Sequence, residues 1–453
     1  MSSPLGGVSI VVAGAGLAGL TAARDLTGMG ATVVVLDARE RVGGRVATVR
    51  DGFVGGQHAE AGADFIDDEH SAMRALTEDL QLKLVRVLRG GWGFVTTDRN
   101  GRVRIDRQGV AKRWSRLGRS LSGLAERSRL AEGRWDSPIV ADVARRSVAE
   151  WLSETGADNE LRQTAAGLAG FFLADPDDLS LVDLLDQMSD DGPPVPRAIY
   201  RIEGGNDRLP AALAAALGDR VRLNAELIAV SHRGRSVRAS VRRGRETSQV
   251  TGDYFVFAIP ATLLRRVPIT PALPAAQHDA FNALRYGRVT RSLLQFSHRF
   301  WRAPGRQRAF GSDQPFGAVW DGNEEQRGKP GILSLTAAGR AADSTREAVA
   351  SSGPDMLVQW LDWLGSGRAT LGVVRQINWD ADPWARGGYA YLDPAFPPEL
   401  HPWLARPCGR LFFAGEHTSL NWRGYMNGAV ESGHRVAAEI EAVHRSGALV
   451  DRR

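Results

Sequence analysis

The chain has 453 residues, a formal net charge of +5 and a single cysteine, Cys408. This length exceeds what one hydrophobic core usually supports, so we expect two domains. One cysteine excludes an intramolecular disulfide and a cysteine metal cluster. The basic excess is scattered and almost all arginine, without a basic stripe or a nucleic-acid-reading motif, so we expect no nucleic-acid partner.

The sequence shows no signal that would target the protein to a membrane or mark it as a metal-binding protein. The first residues run into an apolar strand without the regions of a signal peptide, and no stretch approaches about 18 uninterrupted apolar residues. The sequence therefore predicts no membrane span and a cytoplasmic location. The nine histidines lack ligand spacing and no G-x-S-x-G motif occurs, so neither a metal site nor a serine hydrolase is predicted.

The N-terminal segment predicts a strand, a helix and a second strand. Val8–Ala13 is a short apolar run that ends in glycines, Leu17–Met29 has helical spacing, and Thr32–Leu36 is β-branched and apolar. This order is typical of the repeating unit of a parallel sheet.

Beyond this unit the pattern is first helical and then strand-rich. A helix is predicted over Met73–Leu82, and helical patterns run from Trp114 to Asp191. Near Ile202 the pattern changes. The later strands are predicted at Arg220–Leu223, Ile228–His232, Ser236–Arg242, Tyr254–Ala258, Thr290–Phe296, Gly331–Thr336, Val373–Trp379 and Leu411–Ala414, and the later helices at Leu209–Leu217, Met356–Gly365 and Gly428–Val443.

A glycine motif lies between the first strand and the helix. Gly14-Ala15-Gly16-Leu17-Ala18-Gly19 is G-x-G-x-x-G, in which the first glycine permits a tight turn, the second lets backbone approach a pyrophosphate, and the third allows close helix–strand packing. The helix N-terminus favours phosphate charge. Asp37 ends the second strand and is placed to accept hydrogen bonds from ribose hydroxyls. These features predict a dinucleotide and leave NAD and FAD as alternatives.

Three further segments distinguish these cofactors. Arg39-Glu40-Arg41-Val42-Gly43-Gly44-Arg45 is followed by Glu60-Ala61-Gly62-Ala63-Asp64-Phe65, and Phe413-Ala414-Gly415-Glu416-His417-Thr418 precedes Gly424-Tyr425-Met426-Asn427-Gly428. They resemble, in order, the R-x-x-x-G-G-R, E-x-G-A and closing motifs of the flavin-containing amine oxidases. Gly204-Gly205-Asn206 and Ala258-Ile259-Pro260 match the family's second dinucleotide segment. The resemblance spans residues 8 to 440 and implies FAD.

The resemblance also implies which residues contact the cofactor. Glu416 should hold the ribityl–pyrophosphate region, and the helix that starts near Tyr425 should direct its N-terminus at the flavin. Members with covalent flavin have a cysteine where this chain has Tyr389, so FAD should be non-covalent. The implied contacts are Gly14, Gly16, Leu17, Ala18, Gly19, Asp37, Ala38, Arg39, Gly44, Arg45, Gly62, Ala63, Asp64, Leu227, Trp384, Gly415, Glu416, Gly424, Tyr425 and Met426.

The implied reaction removes hydride from a carbon next to nitrogen, and O2 then accepts the electrons and yields H2O2. Tyr425 should form one wall of an aromatic cage that orients the amine. The second wall is at Ala390, or at Tyr389 or Tyr391 after a shift of one residue. Trp384 either packs beside the flavin or belongs to the core.

Two further candidates depart from the family pattern. Arg291 replaces the usual lysine that holds a water near the flavin; it could anchor a carboxylate or an amide carbonyl, stabilise superoxide, or turn to solvent. Glu60 could face the substrate and accept a proton, or be a structural carboxylate paired with an arginine such as Arg291.

Together these features predict a two-domain α/β flavoprotein. The FAD domain is expected from residues 1–75, 197–285 and 405–453, and a substrate domain with a mixed sheet and helices from residues 76–196 and 286–404. The expected substrate is a small amine, amino acid or amide. A flavin-dependent desaturase, or an oxidative cyclase that captures the imine within an N-acyl amine, is the alternative. A homodimer is left open.

Overall fold

The computed structural model describes residues 3–447, except 99, 101, 107–108, 129, 131–132, 168, 189–197, 303–306, 368 and 420. The strands are β1 Ser9–Ala13, β2 Thr32–Leu36, β3 Thr48–Val49, β4 Ala59–Glu60, β5 Ile66–Asp67, β6 Leu84–Val87, β7 Trp92–Thr97, β8 Val103–Asp106, β9 Ile199–Ile202, β10 Val221–Arg222, β11 Glu226–Arg233, β12 Ser236–Arg243, β13 Glu246–Gly252, β14 Tyr254–Phe257, β15 Ile269–Thr270, β16 Arg285–Tyr286, β17 Val289–Phe296, β18 Ala309–Ser312, β19 Ala318–Asp321, β20 Gly331–Ala338, β21 Leu371–Asn378, β22 Ala390–Tyr391 and β23 Leu411–Phe413. The helices are α1 Leu17–Gly28, α2 Ser71–Asp79, α3 Gly109–Ser128, α4 Pro138–Ala144, α5 Val148–Glu154, α6 Asn159–Gly167, α7 Ala169–Phe172, α8 Leu181–Met188, α9 Arg208–Leu217, α10 Ala261–Leu264, α11 Ala275–Ala283, α12 Arg340–Ser352, α13 Asp355–Gln359 and α14 Met426–Ser446.

A parallel sheet of five strands, in the order β10-β2-β1-β14-β23, forms the first half of the molecule. Its strands are short apolar runs because both faces are covered, as parallel sheets require. The helix α14 packs tightly on α1, where a Cβ atom at Gly433 would lie only 2.6 Å from the Ala18 carbonyl oxygen. Chain segments far apart in sequence therefore share one core.

A mixed sheet of seven strands forms the second half, in the order β21-β17-β20-β19-β18-β7-β8. The strands β17 and β20 are buried along their whole length. The helices α3 and α7 pack on β7 and β20. This arrangement confirms the predicted α/β fold class with a mixed-sheet and helical second part.

Several elements differ from the sequence prediction. The pattern from Trp114 to Asp191 resolves into six helices, α3 to α8, and its last three residues lie outside the described part of the chain. The strands β7, β8, β18 and β19 and the helix α12 were not predicted. The strands β18 and β19 have four residues each, all buried, and such short runs carry no alternation.

The predicted domain division follows the two large sheets. All strands of the parallel sheet lie within 1–75, 197–285 and 405–453, and all strands of the seven-stranded sheet lie within 76–196 and 286–404. The strand β6 lies in the second set of ranges but pairs with β9 of the first. The division itself stays a prediction. Among the described helices, none has the length and apolar character that crossing a bilayer requires.

Candidate active site

One cavity of about 650 Å³ runs from the carboxyl ends of the parallel strands to the face of the seven-stranded sheet. Carboxyl ends of parallel strands are where ligands bind in open α/β sheets. Nineteen of the twenty predicted cofactor contacts line this one cavity. They are Gly14, Gly16, Leu17, Ala18, Asp37, Ala38, Arg39, Gly44, Arg45, Gly62, Ala63, Asp64, Leu227, Trp384, Gly415, Glu416, Gly424, Tyr425 and Met426.

 Trp384 is the member of this set from the substrate-domain range, and Gly19 is the predicted contact that does not line the cavity.

The glycines of the motif have two roles. Gly14 and Gly19 are needed for close packing, whereas Gly16 forms an open backbone surface towards the cavity, here called the cradle. Gly14 has φ +110°, and a Cβ atom there would lie 2.5 Å from the Ala258 carbonyl oxygen. At Gly19 a Cβ atom would lie 1.9 Å from the Gly14 carbonyl oxygen, so the prediction that Gly19 contacts the cofactor is corrected: it packs α1 against the turn. Gly16 differs, because a Cβ atom there meets no protein atom within 4 Å and would project into the cavity.

Two helix N-termini open onto this cavity. The helix α1 begins after Gly16, and α14 begins after Tyr425; neither N-cap residue forms a side-chain cap. Uncapped N–H groups and the helix dipoles favour negative charge at both places. The cavity therefore offers two positions for phosphate or another electron-rich group.

Asp37 lies at the end of β2 and lines the cavity. Its carboxylate accepts hydrogen bonds from the backbone N–H groups of Ala15 (2.7 Å) and Arg39 (2.8 Å). Burial raises the pKa of Asp37 above its ordinary value, although the two N–H donors act to lower it. A carboxylate has about four lone-pair positions, so it retains capacity for ribose hydroxyls.

A buried ion pair joins the first motif to the last. Arg45 Nη1 donates to Glu416 Oε1 at 2.8 Å and to the Gly388 carbonyl oxygen at 2.7 Å. Glu416 Oε2 accepts from the Gly424 N–H at 3.0 Å. Burial alone would raise the pKa of Glu416, but Arg45 holds it below the ordinary value. This pair fixes three chain segments around the middle of the cavity.

Tyr425 and Tyr389 both line the cavity. Tyr425 is 38% exposed, and its surface faces the cavity. The Tyr389 ring lies against Gly424, and its hydroxyl donates to the Phe171 carbonyl oxygen. Ala390 also lines the cavity but has no aromatic ring, whereas Tyr391 is outside the cavity lining. Of the three alternatives for the second wall, Tyr389 is the one with an aromatic ring in the cavity lining, and its role as a wall stays a prediction.

Arg291 lies on β17 and lines the cavity with 9% of its surface exposed, so it is not turned to bulk solvent. Its Nη1 atom donates to the carbonyl oxygens of Gly62 (2.6 Å) and Glu60 (3.1 Å) and to Asp64 Oδ2 (3.3 Å). Its guanidinium group lies over the Trp320 ring, 5.0 Å from the centroid.

The Glu60 carboxylate lies outside the cavity lining, which corrects the expectation that it faces the substrate. It accepts from the Asn206 N–H (2.9 Å) and the Thr48 hydroxyl (2.8 Å). The alternative pairing with Arg291 is also wrong for the carboxylate, because Arg291 binds the Glu60 carbonyl oxygen instead. Burial, and secondly Asp64, raise the pKa of Glu60 to about 8.

Sequence reasoning missed the groups that surround Asp64. The Asp64 carboxylate accepts from Arg201 Nε at 2.5 Å and from Trp320 Nε1 at 2.8 Å, and Arg201 also pairs with Glu325 at 3.1 Å. An arginine inside the strand β9, three residues before Gly204, was the available signal. Four aromatic side chains complete this end of the cavity: Phe65, Trp92, Phe171 and Trp320.

A second unpredicted cluster joins α8 to the segment before α14. Arg423 is buried and binds Asp183, Asp186 (3.0 Å) and His401 Nε2 (3.0 Å). The His401 ring is stacked on Trp135 at 3.8 Å. Arg423 and Asp183 line the cavity. The cluster therefore connects the closing motif to the helical part of the substrate-domain range.

These residues fit FAD. The open face at Gly16, the two uncapped helix N-termini and Asp37 match a dinucleotide, and the cavity continues past Glu416 to the two tyrosines. Cys408, the single cysteine, is buried and is outside the cavity lining, so it provides no thiol for a covalent link.

Comparison with known proteins gives the same assignment. Residues 17–441 match the family model for flavin containing amine oxidoreductase. The flavin-containing monoamine oxidase AofH of Mycobacterium tuberculosis is 30% identical, over 98% of each chain. The L-amino-acid oxidase of Notechis scutatus scutatus is 26% identical, over 95% of this chain and 86% of that one.

Solved structures agree with this. A triple mutant of putrescine oxidase, made in a redesign of cofactor binding, superposes with a TM-score of 0.84 at 25% identity, over 96% of this chain and 99% of that one. The family model covers most of the chain, and its motifs line one cavity. The chain belongs to the family of flavin-containing amine oxidoreductases and is an FAD-dependent enzyme that oxidises C–N bonds.

Proposed function

We propose that the protein oxidises a small amine, amino acid or amide whose reacting carbon lies in the space bounded by Tyr389, Tyr425 and Arg291, with O2 as the terminal acceptor and H2O2 as a product. The observation that supports this most is the continuity of one cavity. The glycine cradle at Gly16 and the Arg45–Glu416 pair line its first part, and the two tyrosines and Arg291 line the next.

The bound FAD supplies the hydride acceptor, and the chain supplies orientation and a shielded space. Tyr389 and Tyr425 present ring faces that attract an amine or its cation. Burial raises the pKa of Tyr389, so its phenol stays protonated and donates to the Phe171 carbonyl. The Tyr389 phenol is therefore a positioning group and does not act as a base.

The amine should react in its neutral form. Arg291 keeps its proton near neutral pH and cannot act as a base. Five carboxylates are found among the described residues that line the cavity, and each already accepts hydrogen bonds from arginine or backbone N–H groups: Asp37, Asp64, Asp183, Glu226 and Glu416. A carboxylate in an ion pair is a weak base, so kcat/KM should rise with pH until the substrate amine is deprotonated.

The test is a screen of amines, amino acids and N-acyl amines with the purified yellow protein. A substrate should bleach the flavin without air, and readmission of air should return the colour and release peroxide. Bleaching that persists in air would contradict an oxidase and favour a desaturase. A full panel without bleaching would contradict the proposed substrate class.

A Tyr425→Ala variant provides the matched comparison. It should raise KM or lower kcat for amines while the yellow cofactor stays bound, because the change removes one ring face. The oxidative cyclisation alternative rested on Arg291 and Glu60, and with Glu60 outside the cavity lining only Arg291 supports it. A cyclised product in the same assay would restore it. The cytoplasmic location and the homodimer stay predictions.

A further inference from the structure

The guanidinium group of Arg291 uses only one of its nitrogen atoms to bind the protein. All three hydrogen bonds to described residues come from Nη1. Among the described residues, none accepts a hydrogen bond from Nε or Nη2. These two atoms form one straight edge with parallel N–H groups, the geometry that matches a carboxylate in a bidentate pair.

Arg291 shares its carboxylate partner Asp64 with Arg201, which also pairs with Glu325 at 3.1 Å. Asp64 lies 3.3 Å from Arg291 Nη1 but 2.5 Å from Arg201 Nε, so the closer pair is with Arg201. The Glu60 carboxyl, with a pKa of about 8, is protonated at neutral pH and contributes no negative charge. A buried guanidinium group that shares its carboxylate partner with a second arginine is stabilised when another anion binds beside it.

The surroundings of this edge strengthen such an interaction. Trp320 lies beneath the guanidinium group, and Phe65, Trp92 and Phe171 continue the apolar wall. Charge–charge attraction is larger in an apolar, water-poor space than in bulk solvent. The two carbonyl oxygens at Nη1 hold the group in place, so little side-chain freedom is lost on binding.

We infer that the Nε–Nη2 edge of Arg291 is a binding site for a carboxylate group of the substrate, with Asp64 as the residue that positions the guanidinium group. The inference rests on the proposed function only in placing the substrate in this cavity. It selects one of the roles that the sequence left open for Arg291, and it specifies substrates that carry a carboxylate near the oxidised C–N bond.

The experiment titrates the oxidised yellow holoenzyme with benzoate and follows the flavin absorption spectrum, so that no turnover is needed. Benzoate should perturb the spectrum with saturation. The Arg291→Met variant should weaken benzoate binding at least about tenfold, and Arg291→Lys should weaken it less. The matched control is Arg288→Met. Arg288 lies just before β17 and pairs with Asp343, so this variant also removes an arginine from this part of the chain.

The neutral analogues benzamide and benzyl alcohol separate the alternatives. If benzamide binds as tightly as benzoate and loses affinity equally in Arg291→Met, the site recognises a carbonyl group and the inference is wrong. Benzoate binding that is unchanged in Arg291→Met would also overturn it, and would place the anion elsewhere in the cavity.

A substrate pair then tests specificity. For an amine with a carboxylate on the oxidised carbon and the same amine without it, Arg291→Met should lower kcat/KM at least about tenfold more for the carboxylated member. Equal losses would indicate that Arg291 acts on the flavin or on oxygen. If no amine is turned over but benzoate binding depends on Arg291, the proposed function fails while this inference stands.

Discussion

Glu60 is a buried carboxyl group whose protonation should affect the stability of the fold. Its pKa is raised to about 8 in the folded chain, against about 4.5 when unfolded. Between these values the folded state keeps a proton that the unfolded state releases, so the stability that Glu60 contributes is complete below pH 4.5 and is lost as pH rises through 8. A buried carboxyl therefore makes the protein less stable in mild alkali.

The Glu60→Gln substitution tests this assignment. Glutamine can accept from the Asn206 N–H and donate to the Thr48 hydroxyl, so the contacts are kept while the titration is removed. Urea unfolding between pH 6 and 9 should show a smaller loss of stability in the variant than in the wild type. Glu203→Gln, at an exposed carboxylate, should follow the wild type. Parallel curves for all three proteins would contradict the pKa assignment.

The Arg45–Glu416 pair makes a second prediction for single residues. Glu416 is almost fully buried and Arg45 is largely so, and removal of one partner from a buried pair costs about 3 kcal/mol or more. Glu416→Met should therefore destabilise the apoprotein more than the double variant with Arg45→Met does. A double-mutant cycle of urea unfolding measures this, and additive losses would show that the two charges are not coupled.

At the scale of single residues, the sequence predicted which residues belong to the site better than it predicted which way their side chains point. The positions that line the cavity were found because glycine and arginine motifs have local roles. Glu60 was misplaced because its direction is set by tertiary contacts: on β4 it pairs with Thr48 of β3 and its carboxyl group accepts from the Asn206 N–H, while the next residues, Ala61 and Gly62, line the cavity. The second wall was left open among Ala390, Tyr389 and Tyr391, because a sequence match that can shift by one residue does not show which side chain lies in the cavity.

The glycine turn before α1 provides a prediction for one element. Gly16→Val should leave the apoprotein nearly as stable as the wild type, because φ −78° suits valine and no protein atom lies within 4 Å of the new Cβ. The same side chain would fill the cradle, so FAD affinity should fall at least about tenfold. Fluorescence of released FAD measures the affinity.

Two substitutions in the same element complete the comparison. Gly14→Ala places a side chain at φ +110° and 2.5 Å from the Ala258 carbonyl oxygen, so it should destabilise the apoprotein itself. Gly28→Ala, near the exposed end of α1, should stabilise the helix by about 0.5–1 kcal/mol and leave FAD binding unchanged. If the Gly16→Val apoprotein lost as much stability as the Gly14→Ala apoprotein, Gly16 would be needed for packing and the assignment of the cradle to FAD would be wrong.

Elements with a strong local pattern were predicted closely, and those defined by distant contacts were missed. The bounds of β2 agree with the prediction, and α1 ends one residue early. The strand β13 was missed because most of its side chains are polar and exposed, and it is held by pairing with β12. Only tertiary pairing makes such a segment a strand.

At the scale of the whole molecule, one cavity is built from both halves. Gly16 and Glu416 belong to the side of the parallel sheet, and Arg291 and Trp320 lie on strands of the seven-stranded sheet. The chain returns twice to the parallel sheet, and this order follows from motifs at residues 14, 204 and 415. The contacts between the halves, such as Arg423 with Asp183, had no motif to indicate them.

Because FAD should contact residues of both halves, it should stabilise them together. Ligand at 100 times its Kd adds about 2.7 kcal/mol to the folded state, which for a chain of 453 residues raises Tm by roughly 3 °C. Calorimetry of the apoprotein with and without FAD should show one cooperative transition that moves as a whole, and a much smaller movement in Gly16→Val at the same FAD concentration. Two transitions, of which FAD moves only one, would show that the halves unfold independently and that the seven-stranded sheet gains nothing from the cofactor.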